Sequence, residues 1–399
     1  MSMRDRETKI FYLLSFLGGF SFNIIAPLFV VFGLSLGFSI ARVGLLFGMS
    51  RLSSFIFEIP TGIFADYHGR KKSILLCYFL TVFSSLIYFL SSNFYFLLIG
   101  SIISGLALAF MSGAFEALVV DSLGLSDKEN IRNKIFIRIG IITTLGFIVG
   151  GFASSAVAYF NLRHIWLLQG AVAILALILG QKFLEEKFYP QEIPIEQRSL
   201  FRAVFTKIKN PLISILQDRR IRFMFLIAIL IALGGAFYGI SWPIVLKDIL
   251  SIPVYYFGII SALAGGFFLF GSLIAEKVSF KKGTIRTLFF SLALMGVFYI
   301  IFGLSRSLIL SLLSFVLIDF FNGGFTPLFY SLINRFIPSS RRATILSFYG
   351  LSTGLSSGAG EILGGALLVL IIAPSVVLLS ASLILIALIS FLGIKNKLK

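Results

Sequence analysis

Twelve apolar runs, each long enough to cross a bilayer, constrain the fold of this chain more than any other feature. They lie near residues 10–36, 40–65, 72–91, 94–121, 133–158, 164–184, 221–247, 254–276, 284–304, 307–334, 342–369 and 373–393. An apolar run of about 18 or more residues with few charges reads as a membrane helix. No period-two alternation runs through them. Helices rather than barrel strands are therefore expected, because in lipid every backbone N–H and C=O must be satisfied inside the element or the closed sheet. Of the 399 residues, 58% are hydrophobic and only 13% charged, more apolar surface than a water-soluble fold can hide. The expected class is an all-α membrane protein with 12 transmembrane helices. The first run is long enough to span and no small-residue cleavage site follows it, so no removable signal peptide is expected.

The formal net charge of +17 is placed by topology, not by nucleic acid. Alternate loops carry the cations. One side holds Arg4, Arg6, Lys9, Arg70 to Lys72, the long loop after residue 184, Lys281, Lys282, Arg341, Arg342, Lys395, Lys397 and Lys399. The other has only Arg42, Arg163, Lys247 and Arg306, a tally of roughly 29 against 4 that makes both termini and the central loop cytoplasmic by the positive-inside rule. A plasma-membrane protein with cationic contact to anionic headgroups is expected.

Several chemistries are excluded. Cys77 is the single cysteine, so no intramolecular disulfide forms. His68 and His164 lie far apart in sequence, and no metal-ligand spacing is present. No P-loop pattern occurs, and no Ser/His/Asp set suggests an enzyme. The glycines of "GAGEILGG" lie inside an apolar helix with no preceding strand and read as helix packing, not as a nucleotide loop. No cofactor or metal is expected, and the chain is expected to act as a monomer on a small molecule.

A polar stretch at 185–220 divides the chain into residues 1–184 and 221–399, each with six spans. It includes Glu185, Glu186, Pro190, Pro194, Arg198, Arg219 and Arg220. The halves match internally. In "GGFSFNIIAP" and "GGAFYGISWP", Gly18, Gly19 and Pro27 fall on Gly234, Gly235 and Pro243. In the fifth span of each half, Gly146, Gly150 and Gly151 fall on Gly360, Gly364 and Gly365. An even number of spans per repeat makes the halves parallel, related by an axis along the membrane normal, as in transporters that rock two bundles about a midplane site.

The turn after the second span reads "GIFADYHGRKKS". Gly62, Asp66, Gly69, Arg70 and Lys71 resemble the signature of the major facilitator superfamily: a glycine, three residues, an aspartate, a basic residue, any residue, a glycine and two basic residues. Tyr67 departs, standing where the family usually has Arg or Lys. Motif, span count, central loop and repeat together cover essentially the whole chain. The resemblance implies two six-helix bundles related by a pseudo-twofold axis. It also implies a gating role for the turn, with Asp66 helping to lock the cytoplasmic side and Arg70 reaching an acid at the end of the fourth span, Asp121. "FEIPTGIFAD" is similar to a bacterial exporter branch. Two departures from drug–proton antiporters stand beside that: no arginine lies within the fourth span, and the fifth keeps its glycines without a proline.

Ionisable residues inside hydrocarbon cost roughly 2.5–3.5 kcal/mol each, so each one is a functional candidate. Glu58, Glu116 and Arg138 lie within two turns of the cytoplasmic end and read first as a structural ion-pair group. Asp319 lies about 11 residues into the tenth span, roughly 17 Å deep and near the middle of a core about 30 Å thick. It is the first candidate for proton coupling, with Glu116 and Glu58 behind it. Arg51 and Glu361 fall about 17 Å and 12 Å below the extracellular end at 1.5 Å per residue. The resemblance implies that the second span of one half faces the eleventh of the other, and pairing is the usual remedy for such charges, so an Arg51–Glu361 ion pair between the two halves is expected. The resemblance implies that the first, fourth, seventh and tenth spans line a cavity. Asn23, Tyr238, Trp242 and Asn322 are its expected polar and aromatic lining, suited to a mid-sized, partly apolar ligand.

The functional expectation is alternating-access transport, as proton-coupled efflux of drug-like or metabolite substrates. The alternatives are an importer, symporter or uniporter, of a small metabolite, and, in another class, a non-transporting membrane sensor or enzyme.

Overall fold

The structure is a computed structural model describing residues 3–125, 128–186, 215, 217–337 and 342–394, with no strand among them. The expectations placed on Pro190, Pro194, Arg198, Arg341, Lys395, Lys397 and Lys399 lie outside the described residues. Among the described residues, twelve helices are long and apolar enough to cross a membrane. In chain order the spans are Arg6–Ser35, Ile40–His68, Arg70–Leu90, Phe94–Ser122, Glu129–Phe160, His164–Phe183, Arg219–Ile249, Val254–Lys282, Thr284–Leu304, Leu308–Phe336, Ile345–Leu370 and Ala373–Gly393. The sequence ranges differ from these by a few residues at the ends, because the helices run on into polar flanks.

Three spans are interrupted where the backbone demands it. The first breaks into a turn around Pro27, which has no N–H to continue the ladder. The fourth breaks at Gly113, whose φ of 71° lies in the left-handed region that glycine tolerates. The seventh carries Pro243 and then winds into a π turn at Val245–Ile249.

Contacts divide the chain into two compact units. One draws on residues 1–38, 49–200 and 254–262, the other on residues 39–48, 201–253 and 263–399. Each unit therefore includes one short segment from the other half of the sequence.

In the first unit the first and fifth spans cross with backbones nearly touching. Side chains added at Gly19 or Gly146 would run into the backbone of Thr143 or Phe16. Small hydroxyls bind the other spans by donating to helix carbonyls. Ser73 Oγ donates to Phe110 O (2.6 Å), Ser84 Oγ to Gly100 O (2.9 Å) and Ser53 Oγ to Ile102 O (3.0 Å). With no hydrophobic drive between helices in lipid, such close packing and interhelical hydrogen bonding are what hold a bundle together. The second unit uses the same devices: Gly271 and Gly323, on the eighth and tenth spans, lie against the backbones of Phe320 and Phe268.

Candidate functional site

The charged turn is built in the first unit. The second span ends at His68, and Gly69 turns the chain with φ 104° and ψ 142°, a conformation that side chains rarely adopt. The third span starts immediately, so its first N–H groups need acceptors. Glu186 supplies them: Arg70 N donates to Oε1 (2.7 Å) and Lys71 N to Oε2 (2.9 Å). An anion at a helix N-terminus also complements the helix dipole.

The Arg70 guanidinium is paired with the Asp121 carboxylate at the end of the fourth span. Lys71 Nζ donates to Gln181 O (3.0 Å) and Ser122 Oγ to Glu185 O (3.1 Å). Gly69, Arg70, Lys71 and Asp121 thus meet at one knot that joins the third, fourth and sixth spans. Asp66 is exposed and, among the described residues, makes no side-chain ion pair; Gly62 and Tyr67 are half-buried. Glu186 escaped the sequence reading, because one acid among the charges of a polar stretch carries no spacing signal.

The second constellation lies in the second unit. Tyr238 and Trp242 are buried on the seventh span, one helical turn apart. Tyr238 meets Tyr299 edge-on at 4.9 Å between ring centroids and Phe302 at 5.5 Å. Trp242 meets Phe315 at 5.0 Å. Asp319, half-buried, follows Phe315 by one turn and lies within electrostatic range of the Tyr238 and Tyr299 hydroxyls. Among the described residues the buried Tyr238 hydroxyl has no hydrogen-bond partner. Asn322 is half-buried, and its Oδ1 accepts from Thr326 Oγ1 at 2.8 Å. Tyr238, Trp242 and Asp319 are therefore brought together. Tyr299, Phe302 and Phe315 were not foreseen, since 46 phenylalanines leave any one of them without a signal and the ninth span had no assigned role.

The other expected residues are placed differently. Asn23 is fully buried in the first unit, not facing open space. Its Nδ2 donates to Phe147 O (2.9 Å), and its Oδ1 accepts from Ser261 Oγ (2.9 Å). The amide is a tie between helices in this conformation. Glu116 and Arg138 are exposed, and Glu58 and Arg51 are half-buried. Glu361 is buried.

At the start of the seventh span, outside the apolar stretch, Asp218 caps the helix. Its Oδ1 accepts from Arg220 N (2.8 Å), and the Arg220 guanidinium binds the same carboxylate at 3.0 Å. The hydrogen bonds from Arg220 hold the Asp218 carboxyl below its ordinary range.

The helices and the charged turn define a multi-pass membrane protein of the transporter class. The chain belongs to the Major Facilitator Superfamily, whose family model matches residues 11–241 and 224–398. It is 25% identical over 373 residues to the uncharacterized MFS-type transporter YxaM of Bacillus subtilis, covering 90% of this chain and 88% of that one. It is 22% identical over 375 residues to the multi-drug resistance efflux pump PmrA homolog of Lactococcus lactis, covering 91% and 88%. A solved nucleoside transporter, NupG, superposes with a TM-score of 0.78 at 15% identity, covering 98% of this chain and 99% of that chain. These relatives and structural neighbours are transporters, not enzymes.

Proposed function

We propose that the chain exports small drug-like or metabolite molecules from the cytoplasm by alternating access, driven by protons. The carrying observation is Asp319 one helical turn from Phe315, within electrostatic range of the Tyr238 and Tyr299 hydroxyls and next to the aromatic wall that these rings form with Trp242. Aromatic faces with one acid and a few hydroxyls suit a partly apolar ligand, often one with a cationic group. A carboxyl deep in a span bears charge at a cost, so its proton is exchanged as the surroundings change from closed to hydrated. Relatives named as multi-drug resistance efflux pumps support the outward direction. Asp319 is the proton carrier in this reading, with Glu116 and Glu58 as secondary acids. The turn of Gly62, Asp66, Gly69, Arg70 and Lys71 with Asp121 is the cytoplasmic gate. The plasma membrane, with both termini on the cytoplasmic side, is the setting that the charge asymmetry favours.

The test is transport in proteoliposomes under an imposed pH gradient, screened with a panel of apolar cations and neutral metabolites. Gradient-dependent accumulation of a compound on the side opposite the cationic loops supports the reading. Transport of a compound at a rate indifferent to the gradient overturns the proton coupling, and accumulation on the same side as those loops overturns efflux.

A further inference from the structure

A cavity lies away from the aromatic cluster, among the eighth, ninth and tenth spans. It holds about 250 Å³, below the roughly 300–1,000 Å³ of sites that enclose drug-sized ligands. Its walls are apolar, with Ile274, Val278 and Phe320 among them, and Phe290 at its side is 60% exposed. At one end stand two cations, Lys282 and Arg286, on either side of the turn at Gly283. That turn joins two spans, so this end of the cavity lies at a membrane surface and the apolar body lies deeper.

The internal repeat shows what this end lacks. Gly283 falls on Gly69 at the same offset that aligns the glycines of the fifth and eleventh spans. The two glycines also share a conformation, φ 104° and ψ 142° at Gly69, φ 88° and ψ 141° at Gly283. At the Gly69 turn, Asp121 neutralises Arg70, and the Glu186 carboxylate binds the first N–H groups of the third span. At the Gly283 turn, among the described residues, no side chain binds the first N–H groups of the ninth span as Glu186 does at the third. The position matching Asp121 is Arg335, a further cation. Among the described residues neither Lys282 nor Arg286 has an ion-pair partner. One half satisfies its turn with its own carboxylates, and the other offers cations and an uncapped helix start next to an apolar slot.

We propose that this cavity binds one anionic phospholipid, with its phosphate at Lys282 and Arg286 and an acyl chain in the slot. The phosphate takes the role at the ninth span that the Glu186 carboxylate takes at the third, since a helix N-terminus and nearby cations both favour an anion. Ser291, on the cavity wall one turn beyond Thr287, offers a hydroxyl to an ester carbonyl below the phosphate. The proposal is independent of what the chain transports.

Native mass spectrometry of the delipidated protein tests it, with phosphatidylglycerol, phosphatidylcholine of the same acyl chains, and inorganic phosphate added separately. One phosphatidylglycerol should be held per chain in preference to phosphatidylcholine. The Lys282→Gln/Arg286→Gln double variant, which alters only exposed side chains, should weaken phosphatidylglycerol retention about thirtyfold, given the usual contribution of each surface cation to anionic-lipid binding. It should weaken phosphatidylcholine retention less, because the choline ammonium offsets the charge of the same phosphate. Ile274→Trp, which fills the slot, should reduce retention of both lipids. Equal phosphatidylglycerol retention by wild type and the double variant overturns the site. So does unchanged retention in Ile274→Trp, which assigns the lipid to the general annulus, and so does saturation by inorganic phosphate alone, which makes it a site for a soluble anion.

Discussion

Gly151 and Gly258 pass so close that a Cβ placed on Gly151 would stand 2.5 Å from the Gly258 carbonyl oxygen. The offset that aligns the glycines of the fifth and eleventh spans maps this pair onto Gly365 and Gly44. There, within the second unit, a Cβ on Gly44 would lie 2.9 Å from the Gly365 Cα. Beside the first pair, Ser155 Oγ accepts from Ile259 N at 2.8 Å, capping the start of the eighth span. A larger residue has nowhere to go except by moving backbone. Gly258→Val is expected to cost about 1–3 kcal/mol through overpacking, read as lower thermal stability of the purified protein. Gly18, which has no neighbour within 4 Å of an added Cβ, is the control: Gly18→Ala should be neutral or slightly stabilising. Equal behaviour of the two variants would contradict the close-contact argument.

Asp218 gives a pH signature at the head of the seventh span. Its carboxyl is held below the ordinary range by hydrogen bonds from Arg220. The stabilisation from a lowered carboxyl is complete above its unfolded value of about 4 and is lost as pH falls through the lower folded value. The side chains are 41% and 29% exposed for Arg220 and Asp218, so solvent screening keeps the ion-pair part small. The cap itself is worth about 1 kcal/mol. Asp218→Ala should speed amide exchange at the start of this helix at neutral pH. Asp218→Asn should keep the cap and lose the acid dependence. An Asp218→Asn variant with the wild-type acid dependence would assign that dependence to another group.

The Arg70–Asp121 pair is surface-exposed, with side chains 26% and 59% accessible. Such pairs contribute about 0–1 kcal/mol, so Asp121→Asn should change thermal stability by less than about 1 kcal/mol. The gating reading gives it a larger effect on conformation. Asp66→Asn and Asp121→Asn should each shift the distances between spin labels on the loops of the two sequence halves toward the inward-facing state. Unchanged distance distributions in both variants would leave the turn as a topology anchor.

The fold was legible because lipid imposes one rule on every span: a continuous apolar run of sufficient length. The breaks at Pro27 and Gly113 did not disturb that reading, since the apolar composition carries through them. The sites were less legible for a related reason. In a chain surrounded by hydrocarbon, the lipid-facing and inward faces of a helix are equally apolar, so periodicity does not separate Phe315, 3% exposed, from Phe290, 60% exposed. Charge remained informative because it is costly, which is why Asp319 stood out while its neighbour Tyr299 did not. Asn23 shows why polarity alone does not mark a cavity wall, for a polar residue on such a span can spend its amide on neighbouring helices, here Phe147 and Ser261.

Arg51 and Glu361 are the remaining charges within spans that the transport reading uses. Glu361 is 5% exposed, and Arg51 is half-buried. Removing one partner of a buried pair strands the other at a cost of about 3–5 kcal/mol, whereas exchanging the two keeps the pair. If they act together, Arg51→Gln and Glu361→Gln should each lower transport and stability more than the Arg51→Glu/Glu361→Arg exchange. A double exchange as damaging as the sum of the single variants would refute the pairing.

Tyr238 and Asp319 give the sharpest test of the transport site. The Tyr238 hydroxyl is buried with no partner among the described residues, and Asp319 lies within its electrostatic range. Leaving a buried hydroxyl unsatisfied costs about 1–3 kcal/mol, so a purely structural protein gains by losing it. Tyr238→Phe should therefore leave thermal stability equal or higher by about 1 kcal/mol. If the hydroxyl serves a ligand or a proton in the transport cycle, the same variant should lower gradient-driven transport at least tenfold. Asp319→Asn, which keeps the shape but carries no exchangeable carboxyl proton, should bind the ligand with affinity within about threefold of wild type and fail to concentrate it under a pH gradient, since threefold is under 0.7 kcal/mol of binding energy. Stability raised, transport lost and binding retained form a combination that a packing role does not produce. A Tyr238→Phe protein that transports at the wild-type rate, together with an Asp319→Asn protein that still accumulates substrate, would assign both residues to packing.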